Sequence, residues 1–334
     1  MVSSAAGFVV RGVHGMFLHP SSREWLGWLV PFAVAGVWQY RAKKPGASLR
    51  EALAWTFPKR AYFSASFLQD LGCIAARLVF ARVVLGLLLR VRYDEDAIAG
   101  ALASAWGASA ALKTGLLPDL AFSAAVFLSF ELGWYAAHRA THEVPLLWAF
   151  HKVHHNATVM NPLTARRFHF LDDLLTTVTV GLTGGVVLFA FRALGYAPSR
   201  VLVWGGIPLF ALGLLAFGAL RHSHVPLSFG RLERWLSSPV MHQVHHSWKA
   251  EHRNKNYGYY LTVFDALGGS LYRPVPGEEL PFGLSQAEAA APDPGFLRMY
   301  FLQPLADAAA YARAGTLWSW KGAQRSAPAG AAAE

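Results

Sequence analysis

The chain carries two copies of the pattern His-x-x-His-His, and a pair of histidines spaced four apart precedes the first copy. These eight residues are His138, His142, His151, His154, His155, His242, His245 and His246. Helical residues three or four positions apart lie on one face, so each cluster can aim its imidazoles at a shared point. Adjacent residues lie about 100° apart around a helix, so in each His-His pair one ring can bind one ion and its neighbour another ion or a water. The spacing predicts a catalytic site for two metal ions held by imidazole.

Other residues bear on the choice of ligands and of metal. His222 directly follows the last apolar segment and is predicted as a ninth ligand, whereas His224 is expected beside the metals. The single cysteine, Cys73, excludes a disulfide framework and a thiolate metal site. Imidazole-rich sites suit iron, zinc, copper or nickel. The ligand number and an apolar setting favour iron.

The composition is typical of a membrane protein. Hydrophobic residues make up 54% of the chain and charged residues only 15%, whereas a soluble globular protein usually has about 25% charged residues. The net charge of +10 could suggest nucleic acid. In so apolar a chain, Lys and Arg are instead expected to flank lipid-facing segments, and no nucleic-acid partner is predicted.

Five apolar stretches approach the length of about 20 residues that a helix needs to cross a bilayer. They are residues 25–40, 72–89, 120–137, 176–191 and 201–220. The sequence therefore predicts an all-α integral membrane protein, of the bacterial inner membrane or endoplasmic reticulum type, with four to five transmembrane helices in hairpins. Basic residues after the first stretch and beside the His clusters predict that a cytoplasmic helical cap holds the dimetal site. Arg77 and Arg82, inside the second stretch, must face neighbouring helices, extend to the membrane interface, or find partners.

We predict four parts along the chain. Residues 1–60 include the first membrane segment, and residues 61–275 form the membrane catalytic domain. Residues 276–320 form an amphipathic helical region that lies on the membrane or packs under the cap. Residues 321–334, rich in Ala, Gly and Pro, form a disordered tail.

The order and spacing of the His clusters resemble the fatty acid hydroxylase/sterol desaturase superfamily of membrane non-heme diiron oxygenases. The resemblance covers about residues 120–274, and the flanking residues that carry it are His138-Arg139, Pro145-Leu146-Leu147-Trp148, Asn161, Thr164, Arg167, His169, Asn256-Tyr257-Gly258 and Phe264-Asp265. The chain departs from the family pattern at His224, His252 and Gly269, none of which is a predicted ligand.

The resemblance implies two iron ions, O₂ as co-substrate, and hydroxylation or desaturation of an unactivated C–H bond of a sterol, fatty acyl or alkyl lipid. No His-Pro-Gly-Gly segment of the cytochrome b5 type occurs. Electrons are therefore expected from a separate protein of the cytochrome b5, ferredoxin or reductase type. Asn161 and Arg167 are predicted to meet a polar head group of the lipid, and Trp134 and Trp148 to line the substrate channel.

Other functions remain open for an imidazole-rich membrane protein. A zinc-dependent membrane hydrolase would need a general base, for which Glu131 and Glu143 are the obvious carboxylates, although neither forms His-Glu-x-x-His. A metal transporter would place ionisable residues near the bilayer midplane rather than at helix ends. A bis-His heme protein is the third alternative, and its visible absorption would identify it.

Overall fold

The structure, a computed structural model, describes residues 29–88, 95–106, 114–197, 203–204, 207–208, 220–287 and 292–318. Most of these residues are helical. The helices are α1 (Leu29–Lys43), α2 (Leu49–Thr56), α3 (Lys59–Tyr62), α4 (Ala65–Leu88), α5 (Glu95–Trp106), α6 (Leu116–Glu143), α7 (Pro145–His155), α8 (Phe170–Ala193), α9 (Pro239–His245), α10 (Val263–Gly268) and α11 (Gln303–Arg313).

Shorter elements connect these helices. Single 3-10 turns lie at Pro162–Arg166, Gly230–Arg234 and Ala250–His252, and a π-helical turn at Arg298–Leu302 leads into α11. Two-residue strands, β1 (Val203–Trp204) and β2 (Ile207–Pro208), pair antiparallel with Val203 opposite Pro208. The fold is therefore almost entirely helical in the part of the chain that is described.

Within the described residues, α6 and α8 are the two single helices that are long and apolar enough to cross a membrane. They have 28 and 24 residues, with mean hydropathy of 1.5 and 2.0. The helices pack against each other, and the Thr183 hydroxyl on α8 donates to the carbonyl of Ser129 on α6 at 2.8 Å. Gly133 permits this close approach, because a Cβ atom there would lie 2.9 Å from the Cα of Val180. The predicted segments 120–137 and 176–191 fall inside these two helices.

The other predicted membrane segments fare differently. Residues 72–89 fall largely in α4. The helical segments Leu49–Tyr62 and Ala65–Phe80 are bent by 71° at the break between them, and they are long and apolar enough to cross a membrane only when taken together. Residues 25–40 overlap α1, whose 15 residues are short for a crossing. Most of 201–220, and the whole of 321–334, lie outside the described residues. The described chain thus offers two or three membrane-capable helices, against the four to five predicted.

Ion pairs connect α4 to α8 and to the loop that precedes α8. Arg77 on α4 makes a bidentate contact with Asp173 at 2.6 and 2.7 Å, which supplies the partner that this membrane-segment arginine requires. Deeper in the protein, Arg167 Nε donates to Asp70 Oδ1 at 2.7 Å, and both side chains are fully buried. Asn161 and the Thr164 hydroxyl also donate to Asp70, at 2.7 and 3.0 Å. This network fixes the loop that enters α8.

The C-terminal helical region packs on α7, the helix that carries the first His-x-x-His-His. Met299 and Tyr300, in the π-helical turn, form a buried apolar cluster with Val153 of α7 and Cys73 of α4. Lys152 forms an ion pair with Asp307 on α11. The described part of the C-terminal helical region thus contacts both α4 and the helix that carries the first His-x-x-His-His.

Removing one partner of the buried Asp70–Arg167 pair should destabilise the protein far more than removing one partner of an exposed pair. Arg167→Ala leaves the Asp70 carboxylate buried without its cation, so we expect a loss of about 3–5 kcal/mol in the free energy of unfolding. Arg192→Ala is the matched control, because Arg192 and Asp96 are 34% and 71% exposed and such pairs contribute about 1 kcal/mol or less. Unfolding of the purified protein in detergent measures both, and equal effects would contradict the assignment.

Candidate metal centre

The first two clusters lie on either side of a tight connection. His138 and His142 occupy the last two turns of α6, and their rings are 5.2 Å apart. Val144 breaks the helix, and Pro145 starts α7 at a position where proline is favoured. α7 then carries His151, His154 and His155. The rings of His154 and His155 are almost perpendicular, at 88°, so neighbouring residues face different points as the spacing predicts.

The third cluster lies on α9, which begins at Pro239 and places His242 and His245 in its last turn, with His246 as the C-cap. Gln243 holds this helix against the preceding segment, because its Nε2 donates to the carbonyls of Leu220 and Val225 at 3.0 and 2.9 Å. That segment carries His222. The fold therefore brings His222 to α9 without any ligand-like spacing in the sequence.

The nine predicted ligands meet in two buried groups. The first group contains five residues, His138, His142, His151, His155 and His245. The second group contains four, His154, His222, His242 and His246. Within each group, the candidate ligand atoms all lie within 4.8 Å of one another. The two groups adjoin, with stacked rings of His155 and His246 only 4.4 Å apart. Each adjacent His-His pair is divided between the groups.

Nitrogen spacing in the second group fits a metal ion. The Nε2 atom of His222 lies 3.2 Å from that of His154 and 2.9 Å from that of His242. The Nε2 atoms of His242 and His246 are 3.1 Å apart. Ligand nitrogens about 2.1 Å from one ion and at right angles to each other lie about 3.0 Å apart. The distances between these Nε2 atoms therefore match those expected between ligands of a single metal ion.

The first group fits a metal for a different reason. Among the described side chains, the buried Nε2 atoms of His151, His155 and His245 have no hydrogen-bond partner. A buried polar atom without a partner costs free energy. A cation shared by these nitrogens would remove that cost, and both groups thus accommodate an ion through Nε2.

Outer contacts set the tautomer that exposes Nε2. The Nδ1 atoms of His138, His154 and His245 donate to the carbonyls of Tyr257, Arg167 and Lys255 at 2.9, 3.2 and 2.7 Å. His151 Nδ1 donates to the Asp172 carboxylate at 3.0 Å. A hydrogen on Nδ1 leaves the lone pair on Nε2, as is usual for metal-bound histidine. The protein therefore orients these four rings before any ion binds.

His242 has a different outer neighbour. Its Nδ1 lies 3.4 Å from the guanidinium of Arg221. Arg221 is buried, donates to the carbonyls of Gly258 and Tyr259, and lies over the Tyr259 ring at 4.5 Å. Burial lowers the pKa of Arg221. This side chain brings positive charge next to the second group.

Burial also lowers the pKa values of five histidines of the two groups well below their ordinary value, and neighbouring histidines lower these pKa values further. This holds for His154, His155, His242, His245 and His246. These rings are neutral at neutral pH, which is the form that binds metals. No carboxylate belongs to either group of described residues. The donor set therefore suits imidazole-binding ions such as iron, zinc, copper or nickel.

The four predicted substrate residues fall in two environments. The Trp148 ring is half-buried, 5.2 Å from the His142 ring, and the Trp134 ring lies 6.1 Å from His138. Asn161 and Arg167 are instead buried in the Asp70 network, and the Arg167 carbonyl accepts from His154. Their contacts support a structural role in holding the His154 ring rather than contact with a lipid.

Some residues at the site were not singled out for a role from the sequence. Tyr257 supplies the carbonyl for His138, and its ring lies 5.2 Å from His142. Asp265 fixes this turn, because its carboxylate accepts from the backbone N–H groups of Tyr257 and Gly258 at 2.8 and 2.7 Å. In the sequence, Tyr257 and Asp265 could have been found from the segments Asn256-Tyr257-Gly258 and Phe264-Asp265, which carry the family resemblance. No sequence pattern indicated Asp172.

The remaining described histidines lie outside both groups. His169 caps α8, accepting from the N–H of Leu171. His224 contacts the carbonyl of Trp55 at 2.8 Å through Nε2, and His252 Nε2 lies 2.9 Å from the Glu278 carboxylate.

Comparisons with known proteins match the region that holds these groups. The family model for fatty acid hydroxylase matches residues 123–270. An ornithine lipid hydroxylase of Rhizobium tropici is 34% identical over 155 residues, covering 46% of this chain and 43% of its own length. The alkylglycerol monooxygenase of Homo sapiens is 28% identical, covering 48% of this chain and 32% of its own. For a Delta(7)-sterol 5(6)-desaturase of Aspergillus fumigatus, the identity is 28% and the shares are 48% and 51%.

The matches thus span about half of this chain and about half or less of each relative. No solved structure matches the chain. The names of these three relatives are those of an ornithine lipid hydroxylase, an alkylglycerol monooxygenase and a sterol desaturase.

Each group should hold one ion, so removal of a ligand from either group should lower the metal content by about one ion per chain. His245→Ala tests the first group and His246→Ala the second. His224→Ala is the matched control, since His224 contacts a backbone carbonyl outside both groups. Elemental analysis of the purified proteins gives the counts. Full metal content in both ligand variants would contradict the assignment.

The metal-free protein should lose stability as the pH falls below about 6.5. The unfolded chain then takes up protons on its histidines, whereas the five buried cap histidines with lowered pKa values resist them. Each such ring should lower the free energy of unfolding by about 1.4 kcal/mol per pH unit in this range. Thermal unfolding of chelator-treated protein between pH 7.5 and 5.5 measures the slope. An unchanged Tm would refute it.

Proposed function

We propose that this chain, whose residues 123–270 match the family model for fatty acid hydroxylase, is an O₂-dependent diiron enzyme that hydroxylates or desaturates a membrane lipid. The observation that carries the proposal is the pair of adjoining buried imidazole groups, five residues in one and four in the other. We place the catalytic domain at residues 61–275, between an N-terminal membrane region and the C-terminal helical region.

The two groups would each hold one iron ion through Nε2 atoms. Two bound irons, supplied with O₂ and electrons, provide the oxidising power to break an unactivated C–H bond. The donor set supports iron because neutral imidazoles and the absence of thiolate ligands suit it, and because the matching family is a hydroxylase family.

The chain's own residues would perform the positioning. Carbonyls of Tyr257, Arg167 and Lys255 and the Asp172 carboxylate hold four rings in orientation. The ligand histidines are almost fully buried, at 7% exposure or less. Burial excludes water, so an oxidising centre would react with the lipid and not with solvent.

A row of aromatic rings leads from the side of α6 toward the first group. The Phe130 ring lies 5.8 Å from Tyr259, which lies 4.5 Å from Trp134, and Trp134 adjoins His138. We propose that the alkyl part of the lipid approaches along this row, and that Trp134 and Trp148 position the carbon to be oxidised. An apolar chain would leave the bilayer at little desolvation cost on this path.

The substrate class follows from the apolar setting and from the relatives, whose names refer to ornithine lipid, alkylglycerol and sterol. We propose a membrane lipid with a long alkyl portion. We further propose that electrons come from a separate cytochrome b5-, ferredoxin- or reductase-like protein, and that the site faces the cytoplasm, where basic residues flank the His-bearing segments.

The hydrolase alternative gains no support. Its two candidate bases lie outside both imidazole groups. Glu143 accepts from Arg139 at 3.1 Å, and Glu131 accepts from the backbone N–H groups of Tyr260 and Leu261. Each carboxylate therefore has at least one protein partner outside the imidazole groups.

Expression of the chain in a host that lacks it should produce lipids heavier by one oxygen atom or lighter by two hydrogen atoms. His154→Ala should abolish these products, because His154 belongs to the second group and adjoins the first. His224→Ala should retain them. Mass spectrometry of lipid extracts from aerobic and anaerobic cultures measures the change. Equal product formation without O₂, or by His154→Ala, would contradict the proposed function.

A further inference from the structure

An exposed apolar and basic segment lies beside the helix that carries His242, and the function above does not use it. We propose that residues 230–236 sit in the head-group boundary of an anionic lipid bilayer, with Leu232, Trp235 and Leu236 in contact with acyl chains. The proposal rests on the membrane location of the chain and is independent of the iron chemistry.

The segment presents large apolar side chains that the described protein does not cover. Leu232 is 58% exposed, Trp235 62% and Leu236 39%. Arg231 and Arg234 are adjacent in sequence to these apolar residues and are also exposed. The one acidic residue of the segment, Glu233, is turned inward and buried. The outer surface of the segment is thus apolar and positively charged. Tryptophan with arginine is typical of the interface between lipid and water.

Glu233 makes the segment rigid. Its Oε1 accepts from the hydroxyls of Ser228 and Ser238, each at 2.7 Å, and from the N–H of Phe229 at 3.1 Å. The 3-10 turn Gly230–Arg234 is therefore tied at both ends to one buried carboxylate. A surface held in this way keeps its apolar side chains outward at no further entropic cost on binding.

The position of this segment along α6 indicates that it contacts lipid. Trp235 and Ser237 are hydrogen-bonded to Thr262 and Tyr260 at 3.0 and 2.7 Å. Tyr260 and Leu261 are bonded in turn to Glu131 on α6. Glu131 precedes the end of α6 at Glu143 by twelve residues, a distance of about 18 Å along the helix. The segment therefore lies well down the side of a membrane-capable helix.

The surface of α6 at this level is itself apolar. Leu128 and Leu132, on either side of Glu131, are 48% and 44% exposed. If α6 crosses the bilayer, these leucines face acyl chains. The exposed side chains of residues 230–236 then continue the same apolar surface, and Arg231 and Arg234 reach the phosphates. A basic residue near an anionic membrane contributes about 1 kcal/mol to binding.

The contact would also connect the membrane surface to the metal centre. Ser238, which binds Glu233, is the N-cap of α9, and α9 carries His242 and His245. Lipid contact at residues 230–236 would thus fix the start of the helix that supplies ligands to both groups.

A fluorescent probe on the segment tests the proposal. Leu232→Cys in the full chain gives one accessible thiol, because the native Cys73 is fully buried. Glu251→Cys, an exposed polar position in the cap, is the matched control. Both proteins are labelled with an environment-sensitive dye and reconstituted into vesicles of phosphatidylcholine and phosphatidylglycerol, with or without nitroxide-labelled lipid. Metal content is measured on the same samples.

The probe at position 232 should be quenched by the nitroxide lipid at least about threefold more than the control probe, since an interfacial side chain lies within about 5–10 Å of the acyl boundary. Arg231→Glu with Arg234→Glu should reduce this quenching on anionic vesicles and leave the metal content unchanged. Equal quenching at both positions would overturn the proposal. A blue-shifted but unquenched probe at 232 would also overturn it, and would assign the surface to a protein contact, such as a second copy of the chain.

Discussion

Nine imidazole rings are buried in two adjoining groups, and the protein must keep the inward nitrogen of each ring free of hydrogen. Buried imidazole rings that share a small volume are stable when their outer nitrogens have suitable partners. Much of the surrounding structure meets this requirement. The loop carrying Arg167 and Tyr257 with its turn supply carbonyls, and α8 supplies the Asp172 carboxylate.

This requirement explains the polar scaffold outside the metal centre. The carbonyl of Arg167 can accept from His154 only if the loop is held, and the Arg167 side chain holds it through Asp70 on α4. Asp265 does the same for the turn at Tyr257. A buried ion pair outside both imidazole groups thus sets the direction of a ligand ring. The membrane helices, in turn, carry the scaffold.

The sequence predicted the parts of the site that depend on local spacing. The offset of adjacent histidines allows His154 and His155 to face different points, and the structure divides them between the two groups. It could not predict the outer partners, because Asp70 and Arg167 are 97 residues apart and His138 and Tyr257 are 119 apart. For the same reason the sequence could not predict the buried contacts of Asn161 and Arg167, whose polarity suggested contacts with lipid instead. Hydropathy located α6 and α8, but it could not reveal the 71° break that divides the α2–α4 region.

X-ray absorption at the iron edge of the purified, reconstituted protein tests the central claim most directly. The two-group arrangement predicts a first shell of nitrogen or oxygen at about 2.1 Å with strong outer scattering from several imidazole rings per iron. Scattering from sulfur ligands, or a carboxylate shell that lacks the imidazole signature, would contradict the account.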